Sequence, residues 1–435
     1  MNKKETKISK EIKINKKSAR RNYSNQTGIT LIALVVTIVV LLILAGVTIN
    51  ALFGDSGIIQ KAKDAQNKMD QAAENDLNAL NELNEWLDSK VNGTTGETAV
   101  NISTLVGKAV NKNTKAEDAY GNKITIPKGF KVLAHGTDAD SATYTYSGNN
   151  IPAVQDGIVI EDTQEETAGN QFVWVPVGTI KNKDNTTNII TLGRYEFDSD
   201  TGALISTTPV QVASVEGCTQ EVTIGSYYKE LSTYREGNTT TDSTAQNATA
   251  RNLAEFISTT LANGGYYIAR FEASGTASKI TSKYNQAVLG NITQPNAATA
   301  AREMYGEVKE NNELVYASDL VNSYAWDTAI IFIQTYSTGT DASTYASKNK
   351  STSFTNTGIN NDKYCNIWDM SGNAYEWTTE YSTDSDSSVF TPCVHRGGFY
   401  FTAGGLASSC TSYRSYSGTA DSSSNNGLRP LLYVK

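Results

Sequence analysis

Groups able to do chemistry are few in this chain of 435 residues, and their spacing argues against most reactions. Histidine occurs twice, as His135 and His395, far apart in sequence. The four cysteines, Cys218, Cys365, Cys393 and Cys410, show no C-x-x-C spacing, which argues against a zinc site. Outside the cell they would support one or two disulfides, and the three full pairings stay open. Serines are plentiful, yet nothing places one beside His395, whose position next to Arg396-Gly397-Gly398 suits a structural role. The stretch from Phe399 to Asn426 carries more information. It is rich in Tyr, Phe, Ser, Gly and Thr, the mixture of rigid rings and adaptable hydroxyls that binding surfaces use. Tyr400, Phe401, Tyr413 and Tyr416 are the expected anchors, with Ser408, Ser409, Ser412 and Ser415 around them. The plain alternative is a polar loop whose rings belong to the core.

Such a surface needs a frame, and the frame needs a place. The formal charge of -8 is unevenly spread: residues 1–21 hold nine Lys/Arg against Glu5 and Glu11, so the body is strongly acidic. An acidic body without a basic stripe argues against nucleic acid as a partner. Ile29 to Ile49 is an uncharged, almost wholly apolar run, long enough as a helix to cross a bilayer core. The basic residues before it would stay cytoplasmic and place everything after Asn50 outside. Ile58, Ala62, Ala65, Met69, Ala73, Leu77, Leu80 and Leu87 then recur at helical spacing, which predicts an amphipathic stalk ending at Asn92. Residues 93–123 are low in apolar content and suggest a linker. From Ile124 the pattern predicts a loop-rich α+β head. Its strands are expected at Ile158–Ile160, Phe172–Val177 and Tyr266–Glu272, its helices near Ala248–Ala262 and Ala325–Tyr336.

Three blocks in fixed order close the chain: Asp369-Met370-Ser371-Gly372-Asn373-Ala374-Tyr375-Glu376-Trp377, Arg396-Gly397-Gly398 and Gly427-Leu428-Arg429-Pro430. With Phe172–Gly178, Tyr266–Ala273 and the segment around Trp326, they resemble the formylglycine-generating-enzyme/sulfatase-modifying-factor domain, a variant of the C-type lectin fold, over residues 124–435. That resemblance implies a loop-rich C-type-lectin-like head. The chemistry of those relatives is not implied. Their copper-binding thiol pair lies soon after the Gly-Gly, where this chain reads Phe399 to Ala407 without a cysteine, and Cys410 stands alone. Iron-dependent relatives use a histidine triad, which two dispersed histidines do not supply. The expectation is therefore a protein that is not an enzyme. A redox enzyme built on Cys410 is the disfavoured rival.

The same resemblance implies a structural Ca²⁺ held by Asp369, Gly372, Ala374 and Glu376, with Asp369 replacing the family's Asn. The competing expectation pairs Glu376 with an arginine such as Arg396. At the other end, Thr27-Gly28 before the apolar run resembles a type IV prepilin leader. It implies cleavage between Gly28 and Ile29, with prepilin peptidase and other pilin-like subunits as partners. Ala33 stands where that family usually has Glu, which weakens the case for filament assembly; an uncleaved single-span anchor is the alternative. Finally, residues 399–426 contain no Lys, Glu, Gln, Met or Trp. Those five cannot arise by randomising the adenines of an AAC codon, which is how diversity-generating retroelements vary C-type-lectin-fold proteins. The domains expected are thus a basic leader (1–28), a membrane and stalk helix (29–92), a linker (93–123) and a head (124–435). Together they describe a membrane-anchored surface protein with an unknown protein or glycan ligand. A structural minor pilin without a specific ligand is the rival.

Overall fold

The computed structural model describes residues 35–41, 61, 65, 68–69, 99–133, 151–198, 203–215, 222–225, 228–230, 252–337, 353–360, 362–383, 393–401, 411–418 and 421–435. The chain divides into two compact units, Met1–Trp86 and Leu87–Lys435. In the first, residues 35–41 are helical and exposed. No helix among the described residues is long and apolar enough to cross a membrane. The rest of the expected span, with Gly28, Ile29 and Ala33, lies outside the described residues, as does most of the stalk.

The second unit is mixed α+β and mostly sheet. It opens with β1 (Val100–Asn101), β2 (Thr114–Glu117) and β3 (Lys123–Ile126), which form one small sheet. Folded structure therefore begins before the boundary expected at Ile124. Ile102, Val110 and Ala116 join the main core, and scattered single apolar residues of this kind leave little periodic signal.

The main sheet has seven strands. They are β4 (Phe130–Val132), β5 (Val159–Asp162), β6 (Gln171–Pro176), β12 (Gly265–Ala269), β15 (Glu307–Glu310), β16 (Glu313–Leu320) and β23 (Pro430–Val434). Their order is β15-β16-β23-β12-β6-β5-β4, so the last strand of the chain lies mid-sheet. The unbroken apolar runs of β6 and β12 follow from that position, since every residue of both strands is buried. Helix α1 (Leu253–Asn263) packs on β12 and β23, capped by Asn252 at its start and left-handed Gly264 at its end. Helix α2 (Gln294–Glu303) went unrecognised in the sequence because alanines form its buried face, although Thr293 caps it and Pro295 sits in its first turn. Helix α3 (Ser323–Tyr336) is buried along most of its length, with Asn322 as its cap.

A five-stranded sheet carries the C-terminal blocks. It consists of β11 (Tyr228–Lys229), β19 (Tyr375–Ser382), β20 (Cys393–Arg396), β21 (Arg414–Ser417) and β22 (Asn426–Leu428). The order is β11-β19-β20-β21, and β22 runs parallel to β19. Smaller ladders complete the unit: β7 (Gly178–Lys181) with β8 (Thr187–Ile190), and β9 (Gly193–Arg194) with β10 (Gln211–Val212). Two more are β13 (Ser274–Thr276) with β14 (Lys279–Thr281), and β17 (Lys363–Tyr364) with β18 (Ile367–Trp368).

Candidate functional site

Side chains alternate between the two faces of a strand, and in the five-stranded sheet this alternation separates rings from charges. In register, Trp377 lies opposite His395 and His395 opposite Ser415, while Glu376 lies opposite Arg396 and Arg396 opposite Arg414. The first row belongs to an aromatic face. His395 lies tilted against Tyr375 with ring centres 4.4 Å apart, and Trp377 packs edge-to-face with it at 5.4 Å. Tyr375 also stacks on Tyr413 at 5.8 Å and lies 4.6 Å from Phe399. From Phe399 the run continues to Tyr400 at 5.4 Å and to Phe401 at 6.3 Å. Phe354 closes on the edge of Tyr400 at 5.3 Å. The series passes from buried His395, through half-buried Phe399 and Tyr400, to Phe401, which is 59% exposed.

Burial pushes the His395 imidazole down to about 4, although Asp421 pulls it the other way. The ring is therefore neutral near pH 7, and its Nδ1 is buried without a hydrogen-bond partner. Tyr400 is fixed at its tip, where its hydroxyl donates to Asn425 Oδ1 at 2.9 Å.

The opposite row belongs to a buried ionic network. Glu380 accepts from Arg194 at 2.8 Å, from Arg414 at 3.2 Å and from Arg396 at 3.3 Å. Asp327 on α3 accepts from Arg414 at 2.6 Å and from Arg396 at 2.7 Å. Burial alone would raise the Glu380 carboxyl, yet Arg414, Arg194 and Arg396 together hold it down to about 2. Glu230 lies behind, accepting from Thr379 Oγ1 at 2.6 Å and from the Ser323 amide at 2.8 Å. Burial pushes its carboxyl up to about 7. Trp326 adds a clamp, donating to the Thr411 carbonyl at 2.9 Å beneath the Arg396 guanidinium. The Arg-Gly-Gly block has a steric reason as well. Gly397 sits at φ +75, and a Cβ there would lie 2.9 Å from the Met370 carbonyl oxygen.

The Asp369–Trp377 block folds around a carboxylate that the sequence did not single out. Glu272 accepts from Asn373 Nδ2 at 2.5 Å and from the Ala374 amide at 2.8 Å. Asp369, left-handed at φ 57, accepts from the Gly358 amide at 2.9 Å and from Asn360 at 3.1 Å. Glu376 pairs with Arg429 at 2.7 Å, and Arg429 also donates to the carbonyls of Ala269 and Trp368. Burial lifts Asp369 and Glu376 to about 7 each, and lifts Glu272 well above the carboxylate range.

This set does not fit calcium. Glu272 and Asp369 already accept from N–H donors on both oxygens, and the guanidinium on Glu376 repels a second cation. Among the described residues no group of three or more His, Cys, Asp or Glu side chains is placed to hold a metal ion. Glu376 does pair with an arginine, but the partner is Arg429 and not Arg396, because Arg396 faces Glu380 and Asp327.

The expected ligand residues divide. Tyr400, Phe401 and Tyr413 join one aromatic run through Tyr375 and Phe399. Tyr416 shares the parity of Arg414, so it turns to the other face and meets Tyr228 at 6.3 Å. Ser412 is only 4% exposed and is not part of an accessible rim, whereas Ser415 is half-buried beside His395. Ser408 and Ser409 lie outside the described residues, as does Cys410. Tyr375, Phe399 and His395 were missed as contributors. Phe399 had a visible signal, its place directly after Gly-Gly. Tyr375 had only its parity with Trp377.

No protein family and no curated protein matches this chain. Among solved structures it is similar to the crystal structure of CarF, with a TM-score of 0.28 and 15% identity, covering 39% of this chain and 87% of that one. It is also similar to Treponema denticola variable protein 1, with a TM-score of 0.24 and 12% identity, covering 61% of this chain and 96% of that one.

Proposed function

We propose that this chain is a membrane-anchored, pilin-like bacterial surface protein. Its C-type-lectin-like head binds a protein or glycan ligand and carries out no reaction. One observation carries the reading: an aromatic run rises from His395 through Tyr375, Phe399 and Tyr413 to Tyr400 and exposed Phe401, while the other face of the same sheet is locked by five buried charges. Rings held on a stiff support present contact area at low entropic cost, which favours recognition. Residues 399–426 are the segment in which diversification would change the ligand without disturbing the frame. The apolar run after Gly28 supplies the anchor, and prepilin peptidase would act between Gly28 and Ile29.

The test is capture of surface proteins and glycans by the unit Leu87–Lys435, repeated with Tyr400→Ala plus Tyr413→Ala. Binding that disappears in a folded double variant supports the reading. Capture of nothing favours the rival minor pilin, and capture unchanged by the substitutions would place the ligand away from the aromatic face. A near-copy of codons 399–426 beside a reverse-transcriptase gene would establish diversification, and its absence would remove that part.

A further inference from the structure

A second concave site lies away from the aromatic face. A shallow, open groove of about 590 Å³ is lined by Gln155, Asn182, Lys183, Asp184, Asn188 and Tyr336, within the size range of small-molecule sites. Past Gln155 and Tyr336 it continues into a recess of about 170 Å³, to which Asp156, Ser337, Lys363 and Asn366 contribute.

Three features narrow the occupant. Charge cancels in each part, since Lys183 stands with Asp184 and Lys363 with Asp156, so neither an anion nor a cation finds an excess of the opposite sign. Four side-chain amides line the walls. Asn366 has both N–H groups engaged but keeps its oxygen as an acceptor, Asn188 likewise offers its oxygen, and Asn182 keeps one N–H, so donor and acceptor are both present for reading hydroxyl groups. One ring, Tyr336, supplies apolar area for C–H faces.

The walls are also tied together. The Tyr336 hydroxyl donates to Asn182 Oδ1 at 3.1 Å, and Asn366 donates to the carbonyls of Asp156 and Gly157 at 2.9 Å each. Gly157 itself sits at φ +78, where a Cβ would lie 1.9 Å from the Cys365 carbonyl oxygen. Any larger residue would force those two walls apart. A site so fixed before binding loses little order on binding.

We propose that this groove binds an uncharged saccharide of one or two hexose units, independently of the aromatic surface. The experiment is saturation-transfer NMR and calorimetry on the full chain with maltose, lactose and N,N′-diacetylchitobiose. A sulfated heparin disaccharide is the charged control. At least one neutral disaccharide is expected to bind with a Kd of about 1 mM or tighter. Asn188→Ala and Tyr336→Ala should each weaken it about tenfold, and Tyr336→Phe, which keeps the ring, by no more than about threefold. Should Tyr336→Ala fail to fold, Asn188→Ala on the β7–β8 hairpin decides alone. Tyr400→Ala plus Tyr413→Ala should leave saccharide binding unchanged, so failure of either site is distinguishable. Binding of none of the three neutral sugars, binding confined to the sulfated control, or equal binding by Asn188→Ala and the natural chain would overturn the proposal.

Discussion

Two buried charge clusters support the C-terminal half of the head, and they balance charge in opposite ways. Around Glu380, three guanidiniums meet Asp327 and Glu380, with Glu230 behind them. Around Glu272, the Arg429 guanidinium pairs with Glu376, and Glu272 and Asp369 lie within its field. The first cluster is neutralised by fixed opposite charges. The second depends on backbone amides and on protons. The aromatic face rests on the first through β19, β20 and β21, so, Glu230 apart, its support should be insensitive to pH near neutrality. The loop at Asp369–Ala374 should not be.

The largest expected effect breaks the first cluster. Glu380→Gln leaves three guanidiniums with too little negative charge and should cost about 3–5 kcal/mol of stability, read from denaturant unfolding. A loss below about 1 kcal/mol would mean that the network contributes little to holding the strands.

Next comes pH, where the two clusters should respond with opposite sign. Asp369 and Glu376 have folded-state values raised to about 7, so between their ordinary values and 7 the folded protein holds protons that the unfolded chain has lost. Stability from this cluster is therefore present at low pH and falls as pH rises from about 4 to about 7. Glu380, held down to about 2, behaves the other way: its contribution is complete above the ordinary glutamate value and is lost as pH falls from there toward 2. Melting temperatures across this range should fall toward both ends, and a profile still rising between about pH 5 and about pH 7 would contradict the acidic cluster.

A smaller change sharpens the assignment. Asp369→Asn keeps one acceptor for the Gly358 amide or Asn360 and removes a titrating group. It should cost about 1 kcal/mol at pH 5 and flatten the decline above it. An unchanged slope would place the proton elsewhere. The smallest effect concerns the two faces of β21. Tyr413→Ala should weaken ligand capture at least about tenfold, whereas Tyr416→Ala, on the charged face, should change it by less than about threefold. Equal losses would mean that the ligand reaches both faces.

Much of the head was legible because burial leaves patterns. The runs at Phe172–Val175 and Tyr266–Ala269 announced strands, and the Trp326, Ile330 and Ile333 stripe announced α3. Helix α2 escaped because alanine is weakly apolar. The segment Val100–Glu117 escaped because strands of two to four residues are too short to show a period. At the aromatic face, composition pointed to Tyr400, Phe401 and Tyr413, but it also chose Tyr416 and Ser412, which alternation and burial remove from that surface.

By itself the sequence determined the α+β character of the head, the place of several of its strands along the chain and the scarcity of histidine and cysteine, because hydrophobic period and residue type are local properties. Only the tertiary structure decided which charges meet. Arg194 and Glu380 are 186 positions apart, and Glu272 and Ala374 are 102 apart. Pairing over such distances is set by sheet register and burial, which place a donor against an acceptor whatever the separation along the chain. The same geometry decided that Arg429, and not Arg396, would neutralise Glu376.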